Sequence, residues 1–137
     1  MFSDDRTGGV ATAETVLVVE DDVLVRLVIA SYLRDCGYRV LEAASADEAL
    51  RLLQRDEAGI DIVLTDVQMP GELDGFALAQ WVRRERPQVE VVMAGTPARA
   101  ADAAGDLCEQ GPTPRQTLEP SAVLSRIRRL LAMRRRP

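Results

Sequence analysis

The run Val16-Leu17-Val18-Val19 is the feature that most limits what this chain can fold into. Four branched apolar residues follow one another with no polar alternation. A strand of that kind has both faces covered, as in a parallel sheet packed by helices on either side. The run stops abruptly at Glu20-Asp21-Asp22. A second segment, Ile60-Asp61-Ile62-Val63-Leu64-Thr65, is again largely apolar and ends on a lone acid, Asp66, ahead of the loop Val67-Gln68-Met69-Pro70-Gly71.

Between and after these strands the apolar period changes from continuous to helical. Val25, Val28, Ile29, Tyr32, Leu33 and Cys36 recur at three and four residues and predict a first helix from Val23, closed by Gly37 as its C′ residue. A short strand over 38–42 precedes Ser45-Ala46-Asp47-Glu48, a capping-box pattern opening a second helix along Ala49, Leu50, Leu52 and Leu53. A third helix is expected from Asp74 to before Pro87, carrying Ala77, Leu78, Trp81 and Val82, and 89–93 reads as a fourth strand. The Ala-rich segment 95–111 suggests a short fourth helix over 98–104, and a fifth strand is expected near 113–117. Pro120 suits the first turn of a last helix striped by Val123, Ile127, Leu130 and Leu131. Five strand-then-helix units imply a doubly wound α/β fold with a five-stranded parallel sheet. Residues 1–13 are expected to be a mobile leader, 14–133 the domain and 134–137 a basic tail.

Composition removes several chemistries. The 137 residues contain no histidine and no lysine, so a Ser-His-Asp triad, a His-ligated zinc and a Schiff-base lysine are all excluded. A net charge of -5, from 22 acidic against 17 basic residues, argues against nucleic acid as a partner. The arginines from Arg126 to Arg136 are read as partners of a helix dipole. No apolar stretch approaches the roughly 20 residues of a membrane span and the start lacks a signal-peptide core, which suggests a cytoplasmic protein. Cys36 and Cys108, far apart in sequence, are expected as buried free thiols.

Any site must then be built from carboxylates, hydroxyls, backbone groups and arginine. In doubly wound sheets ligands bind beyond the carboxyl ends of the strands, where the strand order reverses. Glu20 and Asp21 after strand one and Asp66 after strand three would meet there, and their mutual repulsion calls for a cation; oxygen donors suit Mg²⁺. Asp22 and Asp74 are read instead as helix N-caps or solvated loop acids.

The stretches Val-Leu-Val-Val-Glu-Asp-Asp at 16–22, Asp66-Val67-Gln68-Met69-Pro70-Gly71, Asp74-Gly75 and the closing Val-Leu-Ser-Arg-Ile-Arg-Arg-Leu-Leu together resemble the response regulator receiver domains of two-component signalling, over roughly 14–132. The resemblance implies a flavodoxin-like (βα)5 receiver fold in which Asp66 accepts a phosphoryl group. Asp21, Asp66 and the Gln68 backbone carbonyl would ligate Mg²⁺, with Glu20 acting through water. It implies no enzyme beyond self-phosphorylation and self-dephosphorylation. The implied partners are a sensor histidine kinase or phosphotransfer protein, and a downstream protein bound by the surface of helix four, strand five and helix five. A homodimer is left open.

Three family positions are altered. Ala94 falls where the family carries Thr or Ser at the end of strand four, with Thr96 two residues on. Thr113 falls where an aromatic is usual, and Gln116 where a lysine is expected, with Arg115 as the nearest cation. Two readings follow: a phosphorylatable stand-alone regulator, or a degenerate receiver serving as a phosphorylation-independent interaction or dimerisation module. An aspartyl phosphatase is opposed by Gln68, where an acid would be needed, and by the missing lysine.

Overall fold

A computed structural model describes residues 14–69, 71–111 and 119–134. Its elements are β1 (Thr15–Val19), α1 (Val23–Asp35), β2 (Arg39–Ala43), α2 (Ala46–Leu53), a single 3₁₀ turn (Asp56–Ala58), β3 (Ile62–Thr65), α3 (Gly75–Glu85), β4 (Glu90–Met93), α4 (Pro97–Glu109) and α5 (Pro120–Arg134). The described strands form one parallel sheet in the order β2-β1-β3-β4, with Val16 opposite both Val40 and Ile62 and Val63 opposite Val91. The chain leaves β1 in one direction for β2 and returns on its other side as β3, so the strand order reverses between β1 and β3. The expected fifth strand at 113–117 and the leader at 1–13 lie outside the described residues.

The unbroken run in β1 is explained by the two layers it serves. Val16 and Val18 pack with Val25, Ile29 and Leu33 of α1, while Leu17 and Val19 pack with Ala49 and Leu53 of α2 and Leu78 and Val82 of α3. Side chains alternate across the sheet, and both faces are dry. Ile62 and Leu64 join the first layer and Val63 the second.

Local signals set most element ends. The Asp22 carboxylate accepts from Leu24 N and Val25 N and starts α1, and Asp74 Oδ1 accepts from Ala77 N at 2.9 Å and starts α3. Both acids are therefore N-caps, as expected. Ser45 Oγ accepts from Glu48 N while the Glu48 carboxylate reaches back to Ala44 N, a capping box shifted by one residue on its return arm. Gly37, at φ 98°, ends α1 in the left-handed region.

The carboxyl-terminal third departs from expectation in two respects. Helix α4 runs through Glu109, well beyond 104, and lies on the α1 face: Ala101, Ala104 and Leu107 share a cluster with Ile29 and Leu33. Alanine packs two helices closely even where it leaves a weak sequence pattern. Helix α5 adds Val123 and Ile127 to the same cluster and extends to Arg134, one residue past the expected domain end. A Cβ on Gly105 of α4 would collide with the Pro120 ring at the start of α5.

The cysteines are buried, as expected, but they are not free. Cys36 at the end of α1 and Cys108 in the last turn of α4 form a disulfide with a Cα–Cα distance of 5.3 Å across 72 residues of sequence. Linear spacing carries no information about two helix ends that packing brings together. In the chain-entropy account, closing a loop of this size stabilises the fold by about 4 kcal/mol. The Tyr38 hydroxyl donates to Leu107 O beside it.

Candidate functional site

The ladder of the sheet carries the acidic residues to one edge. Glu20 N donates to Ala43 O and Asp66 N to Val19 O, each at 3.0 Å, so both backbones continue their strands by one hydrogen bond before turning away. Glu20, Asp21 and Asp66 each present a carboxylate oxygen, and these atoms lie within 4.8 Å of one another. They sit where β1 and β3 end side by side, at the reversal of strand order.

The loop after β3 is held from below. Gly75 N donates to Val67 O at 2.9 Å, and a Cβ on Gly75 would run into the Asp66 carbonyl oxygen. Only glycine lets the start of α3 approach the Asp66-Val67 backbone this closely. Val67 N donates to Asp66 Oδ1 at 2.7 Å, and Met69 is buried among the α2 and α3 side chains.

Burial raises the Glu20 carboxyl from 4.5 to about 8; the neighbouring Asp21 and Asp66 charges add to this and the Asp22 N–H bond opposes it. Burial also raises Asp66, with the Asp21 charge adding, against hydrogen bonds from the Val67 and Gln68 backbone and from Glu20. Crowded carboxylates with oxygen donors alone make a place for a hard divalent cation, which removes the repulsion.

Two arginines border the acids. Arg26, one turn into α1, donates to Glu20 O at 2.9 Å and pairs with Glu42 at 3.3 Å. Arg134, from the far end of the chain, pairs with Asp22 at 2.7 Å and holds that carboxyl below its usual range. The helical period could have flagged Arg26. No linear signal connects Arg134 with Asp22.

Ala94, buried and bound through its N–H to Thr65 O, lines a cavity of about 10 Å³ together with Glu20, Thr65 and Asp66. It offers that space a methyl group and no donor. Thr96 is not drawn into the site: its hydroxyl accepts from Arg99 N at 3.1 Å and caps α4. Gln68 is exposed beside Asp66. Thr113, Arg115 and Gln116 lie outside the described residues.

A parallel sheet whose reversal point carries three carboxylates is the arrangement that the resemblance to receiver domains implies. Residues 16–111 match the model of the response regulator receiver domain, and the chain belongs to that family. It is a receiver domain of two-component signalling. It is 36% identical over 85 residues to the two-component response regulator ARR2 of Arabidopsis thaliana, which covers 62% of this chain and 13% of that protein. Among solved structures it is similar to the chemotaxis response regulator CheY4 of Vibrio cholerae (TM-score 0.56, 26% identity, 87% of this chain and 99% of that one). It is also similar to the response regulator TrrA of Thermotoga maritima, solved in complex with Mg²⁺-BeF (TM-score 0.51, 27% identity, 58% of this chain and 67% of that one). The chain spans between 8% and 32% of the curated relatives' lengths. Receiver domains are as a rule regulatory phosphoryl acceptors that bind Mg²⁺ at an acidic pocket and work with histidine kinases or phosphotransfer proteins. No described helix is long and apolar enough to cross a membrane.

The raised Glu20 carboxyl makes a prediction about pH. An acid whose folded pKa exceeds its unfolded value holds its proton more tightly when folded, so its contribution to stability is complete below about 4.5 and is lost as pH rises to about 8. In EDTA, the melting temperature of the native protein relative to Glu20→Gln should fall across that window. Millimolar Mg²⁺ should flatten the difference. A difference that rises with pH in EDTA would contradict the burial argument.

Proposed function

We propose that this receiver accepts a phosphoryl group on Asp66, with Mg²⁺ held by Asp21, Asp66 and the Gln68 backbone carbonyl and by Glu20 through water. The donor is a sensor histidine kinase or phosphotransfer protein, and the output is a protein partner bound through the surface of α4, α5 and the segment joining them. The observation that carries this reading is the meeting of three carboxylates at the reversal of the sheet. TrrA, similar in fold and solved with Mg²⁺-BeF, supports the choice of cation.

Held by these residues, the cation would neutralise charge on the phosphoryl oxygens as an Asp66 carboxylate oxygen bonds to phosphorus and the donor's imidazole nitrogen, or acetate, leaves; the chain's part is to hold the Asp66 carboxylate and the Val67 backbone in fixed relation. Treating the purified protein with acetyl phosphate and Mg²⁺ should add one phosphoryl group, read by intact mass. No added mass, under conditions where Mg²⁺ measurably binds, would reject the reading.

A second reading rests on Ala94 and on the absence of lysine from the chain. A phosphoryl group shifts a conformational equilibrium only through contacts that differ between the two states. With neither the hydroxyl nor the ammonium, those contacts are few, and the domain serves as a constitutive interaction module. Beryllofluoride with Mg²⁺ should then shift amide resonances around Glu20, Asp21, Asp66 and Gln68, with small changes over 97–109 and 120–131. Comparable shifts throughout α4 and α5 would favour a working switch.

A further inference from the structure

Two arginines contact the acidic edge among the described residues, and they are held differently. Arg26 is largely buried and pinned between the Glu20 carbonyl and the Glu42 carboxylate. Arg134 is half exposed, on the last residue of α5, and forks onto Asp22 with Nη2–Oδ2 at 2.7 Å and Nη1–Oδ1 at 3.3 Å. The Asp22 N–H in turn donates to Glu20 Oε2 at 2.9 Å. A positive charge from 112 residues away in sequence is thereby set on the Asp22 carboxylate, whose own backbone N–H is bonded to Glu20.

We infer that Arg134 is a further residue of the acidic site, which lowers the site's affinity for a divalent cation and ties the end of α5 to the charge held there. The inference rests on the reading that Glu20, Asp21 and Asp66 bind Mg²⁺. A guanidinium on Asp22 raises the potential at the neighbouring carboxylates, so a dication enters against it. Binding free energies are reciprocal: whatever Arg134 does to Mg²⁺ affinity, Mg²⁺ does to the pairing of Arg134 with Asp22. An aspartyl phosphate has the opposite sign, since it adds negative charge and holds the arginine more firmly. The last turn of α5 thus acquires a state dependence that does not pass through position 94. An exposed ion pair is weak enough for such changes to move it. Arg26, fixed by two partners and shielded, lacks this freedom.

The test is a Mg²⁺ titration at low ionic strength, followed by calorimetry and by amide shifts, on the native protein, Arg134→Gln and Arg129→Gln. Both variants lose one charge from α5, and only the first loses the contact with Asp22. Arg134→Gln should bind Mg²⁺ about two- to fivefold more tightly, an effect that shrinks in 0.5 M salt, while Arg129→Gln stays close to native. In the native protein Mg²⁺ should shift the amides of 130–134. Native-like affinity in Arg134→Gln, or equal tightening in both variants, would overturn the inference while leaving the metal site standing. A native protein that binds no Mg²⁺ at millimolar concentration would overturn the metal site and this inference together.

Discussion

Replacing Asp66 by asparagine should eliminate acetyl-phosphate labelling, from one phosphoryl group per chain to none, while the fold persists. The amide keeps the size and the hydrogen bond from Val67 N at 2.7 Å but is no nucleophile. The same change removes one of three crowded carboxylates. The metal-free protein should therefore melt no lower than native, and Mg²⁺ affinity should drop by about tenfold or more, which corresponds to about 1.4 kcal/mol. Intact mass after acetyl phosphate treatment gives the first result and a Mg²⁺ titration the second. Labelling of Asp66→Asn at the native level would move the acceptor elsewhere, with Asp21 the next carboxylate to examine.

Gly75→Ala should be among the most damaging single-atom additions to the domain. By helix propensity alone, alanine in α3 would be favoured over glycine by about 1 kcal/mol. Packing argues the reverse, because the new Cβ meets the Asp66 carbonyl oxygen and the Val67 backbone, neither of which can move without disturbing the acidic edge. A loss on the order of 3 kcal/mol is expected, lowering the melting temperature by roughly 10 °C. The opposite signs make the outcome decisive: a stabilised Gly75→Ala would show that the loop after β3 is free to retreat. Mg²⁺ affinity should weaken along with stability, since Gly75 N also anchors Val67 O.

Much of this arrangement is legible in the order of the residues. The unbroken run at 16–19 implies a strand covered twice, and its residues do divide between two layers. Asp22, Ser45 and Asp74 mark helix starts through local hydrogen-bonding rules, which depend on a few neighbouring residues and so survive in a linear chain of letters. The acidic trio is legible because topology, and no side-chain detail, brings the ends of β1 and β3 together. What stays hidden depends on packing between distant segments. The alanines of α4 leave a faint period although they fit against α1. The approach of Gly75 to Asp66 requires knowing where the loop lies. The pairing of Arg134 with Asp22 joins opposite ends of the chain. Residues at 113–117, where two of the three altered positions fall, lie outside the described structure.

The cystine also changes the topology of the chain as a string. With Cys36 joined to Cys108, a covalent ring of residues 36–108 includes β2, α2, β3, α3, β4 and most of α4, while β1 with α1 on one side and α5 on the other hang from it as two arms. A protease that nicks the backbone anywhere inside the ring yields no separable fragments until a reductant is added. A force applied at the two ends draws on the arms alone, so the loop bearing Asp66 lies inside the ring, off the line of tension.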